Sequence, residues 1–329
     1  MALLRCNKCT LLAEQADTLA GQTLACPKCG APAKIYPTLY FVEQLLARYF
    51  DAQHELARLK ASVPDVAAAA PASTPASDID LSNTTALASD QQHQPIYDWF
   101  QKRQIKAEAE PDNVDTSGFY DEVAEAIGAN LPVLKDVLER MRWSQNKGYA
   151  SASISLTDQS AEDARTITDF CRQLYDFSFI AKCLHNKQEN NIRLVLQTAP
   201  MIRAFFSGRW LEWHALMVCL RHAKERRWRV SCARSLRLMP GNGDACEVDV
   251  FMLRDGPTPV PVCIECKTGE FRQDIDRYLA LKKRLGLGRH QFVMCIAGLP
   301  EENARAFTSM YELSFVNERT LVDHLASLA

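Results

Sequence analysis

The stretch Val262–Glu270, VCIECKTGE, admits two incompatible readings. Cys263 and Cys266 form a Cys-x-x-Cys, the spacing at which a tight turn aims two thiolates at one zinc ion. Glu265 and Lys267 form a Glu-x-Lys, and side chains two apart on a strand share a face. A strand would separate Cys263 from Cys266 and unite Cys263, Glu265 and Lys267. The flanking residues favour the strand. PVPVCIECK follows ACEVDVFMLR across RDGPTPV, whose Asp-Gly and prolines mark a turn. Cys266 then reads as a small buried apolar residue.

If that loop is symmetric about Pro257, Asp249 lies opposite Glu265, and Glu247 opposite Lys267. Two carboxylates facing each other across strands repel. A divalent cation between them or a raised pKa relieves the repulsion. Hard carboxylate oxygens suit Mg²⁺ or Mn²⁺. Lys267, on the same face, balances Glu247 and points toward the same cavity. A Glu-x-Lys alone carries little information; the weight lies in the preceding aspartate strand, the hairpin and the flanking helices. The competing reading is an exposed strand face with ordinary cross-strand ion pairs. Apolar runs on both strands, which suit a sheet covered on both sides, weigh against it.

The N-terminal segment LRCNKCTLLAEQADTLAGQTLACPKCGAPAKIY carries two further Cys-x-x-Cys pairs, Cys6/Cys9 and Cys26/Cys29. Here the spacing fits a four-cysteine zinc site, with Gly30 closing the second knuckle. So short a segment cannot build a sufficient core, and bound zinc would supply its folding energy. Residues 1–36 are therefore expected to form a zinc ribbon, a module compatible with DNA, RNA or protein partners. In residues 38–63, Val42, Leu45, Leu46, Tyr49, Leu56, Leu59 and Val63 recur at near-heptad spacing. This predicts one helix, either a short coiled coil that makes a homodimer or a helix packed on its own ribbon. Residues 64–94, rich in Ala, Pro and Ser, read as a flexible linker.

The chain has 329 residues, 47% hydrophobic and 24% charged, the composition of an ordinary globular protein. No apolar run is long enough to span a membrane. A cytoplasmic location is expected, where the twelve cysteines would stay reduced or bind metal. The net charge of −2 says little about partners, but its distribution is uneven. Arg221–Arg237 holds seven basic residues against one Glu, and Arg226, Arg227 and Arg229 are candidate phosphate contacts. A solvated helix end running into an edge strand explains the same charges.

Residues 95–199 read as a mainly helical region, with helices over 96–107, 117–127, 131–146 and 159–175, then a β-hairpin. The second and third of these, with Gly128 placed at their turn, have the look of a helix-turn-helix or of a plain packing platform. Residues 200–329 read as helix, three strands, helix, strand. The fold class expected is multidomain: ribbon, helix or coiled coil, helical middle region, and a C-terminal α/β domain with a mixed sheet. No phosphate-binding loop, His-Glu-x-x-His or Gly-x-Ser-x-Gly is present.

CEVDVFMLRDGPTPVPVCIECKTGEF resembles the PD-(D/E)xK, restriction-endonuclease-like nuclease superfamily. It looks most like the nuclease domains of CRISPR-ancillary effectors that carry a cyclic-oligoadenylate sensor. FFSGRWLEWHALM resembles that family's Gly-x-Trp-Leu-Glu helix. The resemblance covers about residues 200–300 and does not extend to the sensor. It implies Asp249 and Glu265 as metal ligands, Lys267 near the attacking water, Glu212 as an additional carboxylate and Glu247 orienting Lys267. The expected function is an Mg²⁺- or Mn²⁺-dependent endonuclease acting on DNA, in bacterial defence against foreign DNA, dimeric through the 38–63 helix or the nuclease domain. The alternatives are a non-catalytic nucleic-acid-binding protein that reads through ribbon and helix-turn-helix, and a zinc-dependent assembly factor.

Overall fold

The computed structural model describes residues 2–6, 8–9, 11–38, 90–109, 119–241 and 245–328. The helix expected at 38–63 lies outside them apart from Thr38, as does the linker expected at 64–94 apart from residues 90–94. The chain divides into two units, Met1–Ala70 and Pro71–Ala329.

The first unit is a four-stranded antiparallel sheet, β1 (Ala2–Arg5), β2 (Leu12–Gln15), β3 (Thr23–Ala25) and β4 (Pro32–Pro37), in the order β2-β1-β4-β3. Alternation in β1 and β4 buries Ala2, Leu4, Ala33 and Ile35 on one face, beside Cys6 and Cys26. That core is too small to support a domain without a staple.

The second unit begins with α1 (Asp90–Gln101) and β5 (Ile105–Ala109). This corrects the helix expected over 96–107: the helix starts earlier, and IKAEA is a strand. Its alternation lets it pair with a strand far away in sequence, from Ile105↔Pro240 to Ala109↔Leu236. Residues 90–109 thus belong to the large sheet, with Trp99 and Phe100 packing on Phe251 at 5.3 and 4.8 Å between ring centroids.

Next come α2 (Phe119–Ala129), α3 (Leu131–Asn146), β6 (Ser151–Ser155), α4 (Ala161–Asp176), β7 (Ile180–Asn186) and β8 (Asn191–Leu196). The last two strands form the expected hairpin, and β6 completes a three-stranded antiparallel sheet ordered β6-β8-β7. Gly128 is not at the turn between α2 and α3 but inside α2. A Cβ there would come within 2.2 Å of the His214 ring. Its reason is close packing, since α2 buries Val123, Ala124 and Ile127 in the core shared with the helix carrying His214.

The short α5 (Pro200–Ala204) runs through a wide turn at Phe205–Arg209 into α6 (Trp210–Arg226). Then follow β9 (Val230–Pro240), β10 (Cys246–Arg254), β11 (Val260–Lys267), α7 (Ile275–Leu285), β12 (Phe292–Ile296), α8 (Glu301–Met310), β13 (Ser314–Val316) and α9 (Leu321–Ala326). The sheet is mixed and six-stranded, ordered β13-β12-β11-β10-β9-β5, with β11, β12 and β13 parallel. Both faces are covered, which is why β11 and β12 read as near-continuous apolar runs. Val250, Met252, Ile264 and Cys266 enter the core that contains α6; Phe251, Cys263 and Met294 enter the core that contains α1 and α7. Cys263 and Cys266 therefore lie in different cores, as strand alternation requires. Among the described residues, no helix is long and apolar enough to cross a membrane.

Candidate metal and active site

β10 and β11 pair from Arg254↔Val260 to Val250↔Ile264. The ladder ends there, and Asp249, next along β10, lies close enough for its charge to act on Glu265. Asp249 Oδ2 accepts a 2.7 Å hydrogen bond from the Cys266 backbone N–H, which ties the aspartate to the neighbouring strand. Glu265 is only 2% exposed, and its Oε1 is buried with no hydrogen-bond partner. Burial, then the charge of Asp249, pushes the Glu265 carboxyl well above the usual carboxylate range. Asp249 is raised as well, by burial and by Glu247, against the pull of the Cys266 N–H and Lys267.

Lys267 sits at the end of β11 on the same face. Burial opposes its charge, but the Tyr278 hydroxyl on α7 and the carboxylates Asp249 and Glu265 together raise its pKa above that of an ordinary lysine. The group beside its ammonium is thus Tyr278, whose ring centroid lies 5.6 Å away. On the β9 side, Glu247 stands opposite Arg237.

Glu212 reaches the same centre from α6. Its carboxylate accepts from Arg234 at 3.1 Å and from Ser235 Oγ at 3.3 Å. Burial and then Asp249 push its pKa to about 7, against the pull of Arg234 and Arg209. Two local features bring α6 this close. Gly208 has φ +150, and a Cβ there would lie 2.7 Å from Thr268 Oγ1, so the turn before α6 can rest on the end of β11. Ser235 has a left-handed φ of 49, unusual within a strand, and sits at the gap in the β9–β10 ladder opposite Asp249.

A buried carboxylate oxygen without a partner, next to a second carboxylate, is the donor set of a hard divalent cation. Asp249 and Glu265 could serve one, and the charge of Asp249 also acts on Glu212. A cleft of about 870 Å³ opens at this end of the sheet, lined by Arg209, Arg237, Arg277, Arg284 and Glu247. The charge of Arg277 acts on both Asp249 and Glu265. Sequence reasoning missed Arg209, Arg277 and Arg284, and of the basic stretch Arg221–Arg237 it singled out Arg226, Arg227 and Arg229 and not Arg237. Arg226, Arg227 and Arg229 stand elsewhere, at the other end of the β9–β10 hairpin, where Arg229 pairs with Asp255 at 3.3 Å.

In the first unit, the four thiols of Cys6, Cys9, Cys26 and Cys29 lie within 4.8 Å of one another. Cys6–Cys29 and Cys9–Cys26 are each 3.5 Å apart. Tetrahedral zinc at the usual Zn–S distance sets sulfurs about 3.8 Å apart, so this cluster could hold such an ion. The Cys9 backbone N–H lowers the Cys6 thiol to about 6. The Ala31 N–H also lowers Cys29, but the crowding thiols, Cys9 foremost, raise it to about 12. A central cation removes that repulsion.

No protein-family model matches the chain, and no curated protein matches it. Solved structures that align with it in part include two at 15% identity. The crystal structure of protein VC1899 from Vibrio cholerae aligns at a TM-score of 0.47 and 15% identity, covering 71% of this chain and 60% of that one. Can2 from Sulfobacillus thermosulfidooxidans, solved in complex with cyclic tetra-adenylate, aligns at a TM-score of 0.46 and 15% identity, covering 70% of this chain and 60% of its own. At this level of similarity nothing about the site rests on either.

Proposed function

We propose that the second unit is a metal-dependent nuclease that hydrolyses phosphodiester bonds in nucleic acid, with DNA the first substrate to test and defence against foreign DNA as its setting. The observation that carries this reading is the buried, unpartnered Glu265 Oε1 beside Asp249; Arg277, whose charge acts on both carboxylates, lines a cleft with three further arginines. Asp249 and Glu265 would hold Mg²⁺ or Mn²⁺, with Glu212 as a third carboxylate. The cation would act as a Lewis acid on the phosphoryl oxygen and favour deprotonation of the attacking water. Lys267, kept charged by Tyr278 and the carboxylates, stabilises the negative charge that grows on the phosphate. Arg209, Arg237, Arg277 and Arg284 hold flanking phosphates, giving binding that weakens with salt and is largely blind to sequence. The ribbon holds zinc as a structural ion.

The test is to incubate supercoiled plasmid, linear duplex and single strands with the full chain in Mg²⁺ and in Mn²⁺. Metal-dependent nicking or degradation supports the reading. Equal loss of substrate after the catalytic metal is removed contradicts it.

A further inference from the structure

Away from the carboxylate centre, the sheet β6-β8-β7 has one covered face and one open face. Ala152, Ile154, Ile192 and Leu194 are buried in the core with α3 and α4. The residues alternating with them, including Ser153, Arg193 and Leu184, are exposed and line a concave surface of about 840 Å³. Trp143, at the end of α3, and Tyr149, just before β6, line it too, at 44% and 54% exposure. Their rings lie 5.4 Å apart, and the Arg140 guanidinium stands 4.9 Å over Trp143. Lys182 adds a charge on the same strand face as Leu184. Among the described residues, Arg140, Arg193 and Lys182 have no ion-pair partner, and the acidic residue in the lining, Glu189, is held by Asn191 at 3.1 Å.

We infer that this open sheet face is a stacking platform for single-stranded nucleic acid. Two adjacent exposed aromatic rings offer faces to successive bases, and unpaired cations on either side suit the backbone between them. Ser153 and its polar neighbours on the sheet floor can bond base edges. Paired bases present no free faces, so a duplex gains little here. The helix that leads into the hairpin, α4, is a poor alternative for meeting a duplex, since it carries Glu162, Asp163, Asp169 and Asp176 against Arg165 and Arg172. The binding residues are separate from the catalytic centre; the consequence, that single strands or frayed ends are the substrate, rests on the proposed nuclease activity.

The test uses full-length protein carrying Lys267→Ala, without added divalent metal, and 20-nucleotide labelled oligo-dT, oligo-U and a mixed-sequence duplex. Fluorescence anisotropy should show one or both single strands bound at least tenfold tighter than the duplex, with quenching of tryptophan emission. Trp143→Ala with Tyr149→Ala should weaken single-strand binding about tenfold or more, with an unchanged melting temperature. Trp143→Phe should keep the affinity and lose the quench, a signature that a merely structural role would not produce. The better-bound oligomer identifies the sugar. Equal binding of the duplex, or wild-type affinity in the double variant, would overturn the proposal. So would self-association through this face, seen by sedimentation and abolished by the double variant without any effect on oligonucleotide binding. Binding without cleavage by the wild type in Mn²⁺ would leave the platform standing and remove the nuclease reading. Cleavage by the wild type, with the Trp143→Ala, Tyr149→Ala double variant binding single strands normally, would do the reverse.

Discussion

Glu265 is held where a carboxylate is costly: buried, beside a second carboxylate, with one oxygen lacking any donor. Such groups are retained where they serve a ligand, at the expense of stability. Replacing Glu265 with Gln removes the charge at nearly constant shape. The metal-free variant should therefore melt a few degrees higher than wild type at pH 8. It should also lose the rise in melting temperature that Mg²⁺ or Mn²⁺ gives the wild type, which differential scanning fluorimetry can read. Glu212 sets the sign of the pH dependence. Its folded pKa, about 7, lies above the ordinary carboxyl value of 4.5, so the fold favours its protonated form. The associated stability is fully present below about 4.5 and is lost as pH rises through 7. Metal-free wild-type protein should show this loss in urea melts across pH 5–8, and Glu212→Gln should reduce it, the raised Asp249 and Glu265 carboxyls contributing the remainder. Divalent metal should offset part of the loss above pH 7.

At the scale of elements, the end of β11 and the start of α6 meet through Gly208 and Thr268. Gly208→Ala places a methyl group against Thr268 Oγ1 at a backbone angle that L side chains rarely adopt. It should cost about 1–3 kcal/mol in denaturant unfolding and reduce activity by displacing Glu212. Thr268→Ala should recover part of that loss in a double-mutant cycle, the part due to contact and not to φ. The hairpin β10–β11 was legible before the fold because its turn residues and alternation are local, and its register follows Pro257 as expected. β5 was not, because IKAEA becomes a strand only by pairing with β9 more than a hundred residues away. Gly128 was misplaced for a related reason: its cause is the His214 ring on another helix, which no nearby residue announces. The arginine cleft gathers Arg209 from a turn, Arg237 from β9 and Arg277 and Arg284 from α7, so charge runs pointed instead to Arg226, Arg227 and Arg229. The Asp249–Glu265 pair was readable for the opposite reason, since one turn brings both together.

Across the whole molecule, stability is divided between units with separate cores. Among the described residues, the first unit buries only Ala2, Leu4, Ala33 and Ile35 with Cys6 and Cys26, so a metal held by its four cysteines would contribute much of its folding energy, whereas the second unit has two extensive cores of its own. A strong zinc chelator should abolish the ribbon's calorimetric transition, or a Cys26→Ser substitution its zinc content, while the main transition of the larger unit stays in place. The central claim concerns that larger unit. The most direct measurement is the rate of phosphodiester cleavage in Mn²⁺ by wild-type protein and by Lys267→Ala, side by side on the same nucleic acid. The account predicts that the wild type cleaves and the variant is slower by about a hundredfold or more, while still binding metal. Equal rates in the two proteins would contradict it.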